Sequence, residues 1–193
     1  MTRSWLVIFI LYSLPMSAQD VPYYYEIPEA PESYSAANVA ARLVDGLGFR
    51  YFWATEGLTE SDLAYRPTEE SRSSYETLVH IEGLTSVVRN AVSRKPNTGG
   101  DSDQEVTFGE LRARTLDHIR QASEILKTEG ANLEEFPIIF QRGENSTEYP
   151  FWNLINGPIS DAIWHVGQIV SFRRSSGNPF PSGVSVLRGT KRD

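Results

Sequence analysis

The chain has 193 residues, no cysteine, and 18 basic against 25 acidic residues, a net charge of −7. Without cysteine there is no disulfide framework, no thiolate zinc site, no iron–sulfur ligand and no thiol nucleophile, and the acidic balance disfavours a general nucleic-acid binder, which needs a basic field. A hydrophobic fraction of 40% and a charged fraction of 22% describe a globular chain rather than a disordered one, and the length suits one domain.

Residues 1–18 begin with Arg3, continue through the uncharged run WLVIFILYSL at 5–14 and reach a small residue at Ala18 after Pro15. A positive start, a short apolar stretch and a small residue predict a secretory signal peptide. Ten apolar residues cover only about half of a bilayer's hydrocarbon core as a helix, so no stable membrane anchor is predicted and the mature protein is expected outside the cytoplasm, periplasmic or secreted. Residues 19–35, with three prolines and four tyrosines, read as an extended leader that could pack on the domain through its tyrosines. The domain itself is placed at 36–180, and 181–193 reads as a coiled tail.

Ser35 can cap a first helix over about 36–54, with a stripe of Val39, Ala40, Leu43, Leu47, Arg50 and Ala54 at spacings of three and four. A second helix is predicted over about 73–92, with Thr77, His80, Ile81, Leu84, Val87, Val88 and Ala91 on one face. Ser73 and Ser74 read as its caps, since no triad partner stands at a useful spacing. A polar, glycine-containing stretch at 93–104 reads as a mobile loop. Thr107 precedes a third helix, about 108–129, with a stripe of Phe108, Leu111, Thr115, His118, Ile119, Ala122 and Leu126. Residues 137–149, turning at Arg142-Gly143-Glu144-Asn145, could make a small hairpin; Asn145-Ser146-Thr147 also fits a glycosylation sequon. A fourth helix spans about 152–175, with Gly157-Pro158 marking a kink or restart. Four amphipathic segments of similar length predict an all-α protein, a four-helix bundle with a small hairpin before its last helix.

The polar residues on these faces carry the functional reading. Taking His165 as zero and advancing about 100° per residue, Leu154 falls near −20°, Pro158 near +20°, Asp161 near −40°, Ile169 near +40° and Phe172 near −20°. Asp161 and His165 thus share a face with apolar residues and, one turn apart, can converge on one atom; Gln168 flanks them. On the second helix His80 also points inward. A carboxylate on such a face needs a partner. Asp161 can bind a metal with His165 and His80, pair with a buried cation, for which Arg50 is the candidate, or stand at the bundle mouth in water. Two imidazoles and one carboxylate form a three-ligand set that leaves positions open. His118, at the edge of its stripe, reads as a packed histidine, and Trp53, Trp152 and Trp164 read as packing residues.

The segment Leu63-Ala64-Tyr65-Arg66-Pro67, followed by Leu78-Val79-His80-Ile81, resembles the DinB-like superfamily, as does Asp161-Ala162-Ile163-Trp164-His165-Val166-Gly167-Gln168-Ile169 followed by Arg174 and Gly177-Asn178-Pro179. The resemblance covers roughly 36–180. It implies a four-helix bundle with a divalent-metal site, usually of three histidines, and activities that include thiol-dependent transferases and hydrolase-like or isomerase members. His80 and His165 match two ligand positions, and Asp161 stands where the common pattern has the third histidine. The donor chemistry suits zinc, nickel, manganese or iron, and the spacing of the residues places Gln168 and Arg50 as supporting groups around the ligands. The function expected is an exported metal-dependent hydrolase or group transferase acting on a small-molecule substrate. The competing reading is a non-catalytic helical module, in which the His/Asp cluster is a satisfied polar core and the apolar seam a homodimer or ligand surface.

Overall fold

The computed structural model describes residues 21–99 and 106–192. The signal-peptide expectation at 1–18 and part of the loop predicted at 93–104 lie outside these residues. The described chain is predominantly helical, with two small hairpins. No helix among the described residues is long and apolar enough to cross a membrane.

Helix starts follow their caps. The Ser35 hydroxyl accepts from the Asn38 amide ahead of α1 (Ala36–Thr55). Reciprocal capping boxes, Thr59 with Asp62, Ser73 with Glu76 and Thr107 with Glu110, open α2 (Glu60–Ala64), α3 (Ser74–Val92) and α4 (Phe108–Leu126). The five-residue α2 is not in the sequence reading, because a single turn has no periodicity to detect. Helix α4 stops at Leu126 rather than near 129, and Gly130 follows with φ 79°.

The predicted hairpin forms: β1 (Ile138–Arg142) pairs antiparallel with β2 (Asn145–Tyr149). Its two-residue turn places Gly143 at φ 58°, the position where a tight hairpin needs a residue without Cβ. On the other edge of β1, Asn97 donates its amide to the Ile139 carbonyl at 2.7 Å and accepts from the Gln141 amide at 2.9 Å, so the loop start is pinned there. The last helical stretch runs from α5 (Phe151–Leu154) through a π turn at Ile155–Ile159 into α6 (Ser160–Ser175). Helix α3 packs on α4, α1 packs on α4, and α6 packs on both α1 and α3. Leu47, Phe49, Tyr51, Leu78, Ile81, Leu111, Ile119, Leu126, Leu154 and Ile169 lie fully inside.

Two readings of the sequence need correction. The tail is not all coil, since β3 (Val184–Ser185) pairs with β4 (Thr190–Lys191). The stripe predicted for α1 is also wrong in its first turns: Val39 and Leu43 face water, whereas residues 44–49 and 51–55 are buried. The leader explains that wide burial. Tyr24 lies flat against Gly48 and bonds the buried Asp45 carboxylate at 3.2 Å, while Trp53 Nε1 donates to the Tyr25 carbonyl at 3.0 Å. Farther along, Arg42 donates to the Pro28 carbonyl and the Ile27 amide to the Gly189 carbonyl. The leader is therefore a strap that covers α1 and meets the C-terminal hairpin.

Candidate metal centre

His80 stands in the second turn of α3, and Asp161 and His165 stand in the first two turns of α6, where the two helices pack together. The π turn sets the phase of α6. Pro158 has no amide to offer the Leu154 carbonyl, and the Ser160 amide reaches the Ile155 carbonyl five residues back. A turn closed i to i+5 holds one residue more than an α turn. Leu154 therefore moves from the −20° expected to about +80° relative to His165.

That position coincides with the buried residues of α6, Ala162, Val166, Ile169 and Arg173, which lie between about +40° and +100°. The core face is thus rotated away from the face the sequence suggested. Asp161 and His165 lie on its edge, with side chains 40% and 15% exposed, and His80 opposite them is 32% exposed. The centre is at the rim, open to water on one side.

One donor atom from each residue lies within 4.8 Å of the other two, so the group could hold a metal ion. The Asp161 carboxylate faces both imidazoles: Oδ2 is 3.4 Å from His80 Nε2 and Oδ1 is 3.3 Å from His165 Nε2. The two short contacts use different oxygens of the one carboxylate, which thus bridges the imidazoles. The rings cross nearly at right angles, with centroids 4.6 Å apart. His165 Nδ1 lies 2.7 Å from Gln168 Oε1. The amide oxygen only accepts, so Nδ1 carries the proton and the Nε2 lone pair of a neutral His165 faces Asp161. Burial, the exposed Arg72 guanidinium and His165 together push the His80 pKa down, against the pull of Asp161.

The other sequence candidates separate. Gln168 takes its place beside His165. Arg50 does not reach the centre: its guanidinium donates to the Gly46 carbonyl at 2.9 Å and lines a recess with Ile163, Val166, Gly167 and Val170. Those residues lie between about +100° and +200° on α6, the side away from Asp161, so the Asp161–Arg50 pair is not formed. His118 is buried on α4 beside Glu82, with Nδ1 3.7 Å from a Glu82 oxygen that accepts from Arg114 Nε at 2.9 Å. It is not among the three converging donors.

The remaining motif residues hold the scaffold. Arg66 grips both oxygens of Glu76, the residue that closes the α3 capping box. Near the chain end Arg173, not Arg174, is buried. It donates to the Trp53 and Ala54 carbonyls at the end of α1 and to Asn178, while Asn178 also bonds Asp62. Burial raises the Asp62 carboxyl, but hydrogen bonds from Asn178, Ser176 and Thr59 outweigh it and hold it below the usual carboxylate range. Trp152 and Trp164 are not packing residues: they are 75% and 73% exposed. The sequence signal for Trp164 was its spacing, three residues after Asp161 and four before Gln168.

Comparisons with protein-family models, with curated proteins and with solved structures found no match to the chain.

Proposed function

We propose that the chain is an exported four-helix-bundle protein of the DinB-like type, with a divalent metal bound by His80, Asp161 and His165 that serves hydrolysis or group transfer on a small molecule. The ring of contacts among α1, α4, α3 and α6 supports the bundle reading. The observation that carries the metal reading is the carboxylate set 3.3 and 3.4 Å from two Nε2 atoms, with His165 Nδ1 held against Gln168 Oε1. A carboxylate facing a nitrogen lone pair is repulsive unless a cation or a proton lies between them. Two nitrogens and one oxygen suit zinc, nickel, manganese or iron.

An ion held there supplies Lewis acidity toward a carbonyl, phosphoryl or water oxygen. The chain's own residues do the rest. Gln168 fixes the tautomer and the plane of His165. Asp161 lowers the charge of the centre by one and keeps an exposed edge. The rim position leaves one side for a small molecule to enter, while Ala162, Val166 and Ile169 close the other.

Metal analysis and titration of the purified mature protein test the reading. Stoichiometric uptake is expected, lost in His80→Ala and His165→Ala, weakened in Asp161→Ala and kept in Asp161→His. A protein that takes up no divalent ion and is equally stable with chelator would instead be the non-catalytic module with a satisfied polar cluster. Export is tested separately by N-terminal sequencing: recovery of Met1 from soluble cytoplasmic protein would contradict it.

A further inference from the structure

Trp164 differs from the packed Trp53 in burial and in hydrogen bonding. Trp53 is 5% exposed and its Nε1 is bonded to Tyr25, as buried indoles are. Trp164 is 73% exposed, and its Nε1 has no hydrogen-bond partner among the described residues. Isolated exposed apolar side chains are ordinary, but this one is placed. It is an i,i+3 neighbour of Asp161 and an i,i+4 neighbour of Gln168 on α6. Long helical side chains lean toward the helix N-terminus, which carries the indole over the turn that begins with Ser160 and Asp161. That is the side on which Asp161 is 40% and His80 32% exposed. The indole thus stands one helical turn from Asp161, beside the open edge of the centre.

The charge at that edge has a definite sign. A divalent ion with one carboxylate leaves a net positive centre, and the exposed Arg72 adds to it. Arg72 directly precedes the Ser73 cap of α3, the helix that carries His80, and has no ion-pair partner among the described residues. In a chain of net charge −7, this is a local site for an anion beside an aromatic face.

We propose that the centre takes small aromatic acids, with the ring stacked on Trp164 and the carboxylate directed at the ion and Arg72. The inference rests on the metal reading and adds to it the class of ligand.

The test uses the mature protein loaded with Co²⁺, whose absorption reports ligands reaching the ion. It is titrated with phenylacetate and with acetate, and indole emission is followed in parallel. Phenylacetate is expected to bind roughly 2–10-fold more tightly than acetate, the range of one aromatic stacking contact. Trp164→Ala should abolish that advantage while leaving cobalt uptake and acetate affinity unchanged, and Trp164→Phe should retain part of it. Arg72→Gln should weaken both acids alike. Trp152 is the control: it is as exposed and, with the π turn counted, lies only about 20° around the helix from Trp164, but roughly three turns away. Trp152→Ala should therefore change nothing. Equal affinities for the two acids in the unaltered protein, an advantage that survives Trp164→Ala, or one lost in Trp152→Ala would each overturn the inference while the metal reading stands. Failure of the unaltered protein to take up cobalt would overturn both.

Discussion

Three histidines share one chemistry and occupy two environments. His80 and His165 sit at a rim with a carboxylate between them, whereas His118 is buried on α4 with Arg89 and Arg114 nearby. Burial first, and then those two guanidinium groups, push the His118 pKa down to about 4 from 6.5, with Asp117 and Glu82 pulling the other way. The folded state therefore binds its proton less readily than the unfolded chain. Above pH 6.5 the group is neutral in both states and costs nothing. As pH falls from 6.5 toward 4 the unfolded chain gains the proton first and stability is lost, by about 3 kcal/mol over the interval. Urea unfolding of the native protein and of His118→Gln at pH 7 and pH 4 checks this: the native protein should lose about 3 kcal/mol more than the variant. The sequence placed His118 on an apolar face, but it could not show Arg89 and Arg114 closing around it from two helices.

At the scale of elements, the π turn decides where the centre lies. A residue count from Leu154 to His165 in regular helix phase puts Asp161 and His165 in the middle of the buried face; the extra residue at Ile155–Ile159 moves them to its edge. Gly157-Pro158 announced an irregularity, but not its sense, since a kink and a restart shift the phase differently. Deleting Pro158 removes the surplus residue and the missing donor together, and leaves Leu154 at the same angle to His165. Its thermal midpoint by circular dichroism is expected to equal or exceed that of the native protein, with metal titration unchanged. Deleting Ile163 instead breaks the i,i+4 relation of Asp161 and His165, and metal binding should disappear. Loss of metal in the Pro158 deletion would show that the π turn positions the ligands in some further way.

Across the whole molecule, the strap and the hydrogen bonds of Arg173 and Asn178 hold the helices in place. A Cβ on Gly48 would stand 2.5–2.7 Å from three carbons of the Tyr24 ring, whereas one on Gly167 would meet nothing within 4 Å. Gly48→Ala should therefore destabilise by about 1–3 kcal/mol as the strap is displaced. Gly167→Ala, at an exposed helical position, should stabilise by about 0.5–1 kcal/mol, although both are single glycine replacements in helices. Urea midpoints compare the two directly. The Arg173 network is tested by Arg173→Met, which strands the Trp53 and Ala54 carbonyls and should cost about 2–4 kcal/mol. Arg173→Lys should recover little, because one ammonium cannot serve acceptors on two segments as a planar guanidinium does. Arg174→Ala, at an exposed position, should stay within about 0.5 kcal/mol of the native protein.

The helical class, the caps of α1, α3 and α4, the hairpin turn and the shared face of Asp161 and His165 were legible in the chain. Each depends on local chemistry: a cap hydroxyl and its glutamate, a glycine at positive φ, an i,i+4 pair on one helix. The depth of the centre, the partner of Arg50 and the burial of Arg173 rather than Arg174 were not. They depend on helix phase summed through a turn of unusual length, where one residue rotates everything beyond it by about 100°. The chain offered the leader's tyrosines as packing residues, and Tyr24 does lie in the core, but it could not show that Val39 faces water. Burial is a property of surfaces that meet, and the leader reaches α1 only once the strap is in place. The sequence determined which side chains could act as ligands. The packing of α6 on α3 decided that they meet at an open edge, beside an indole exposed to water.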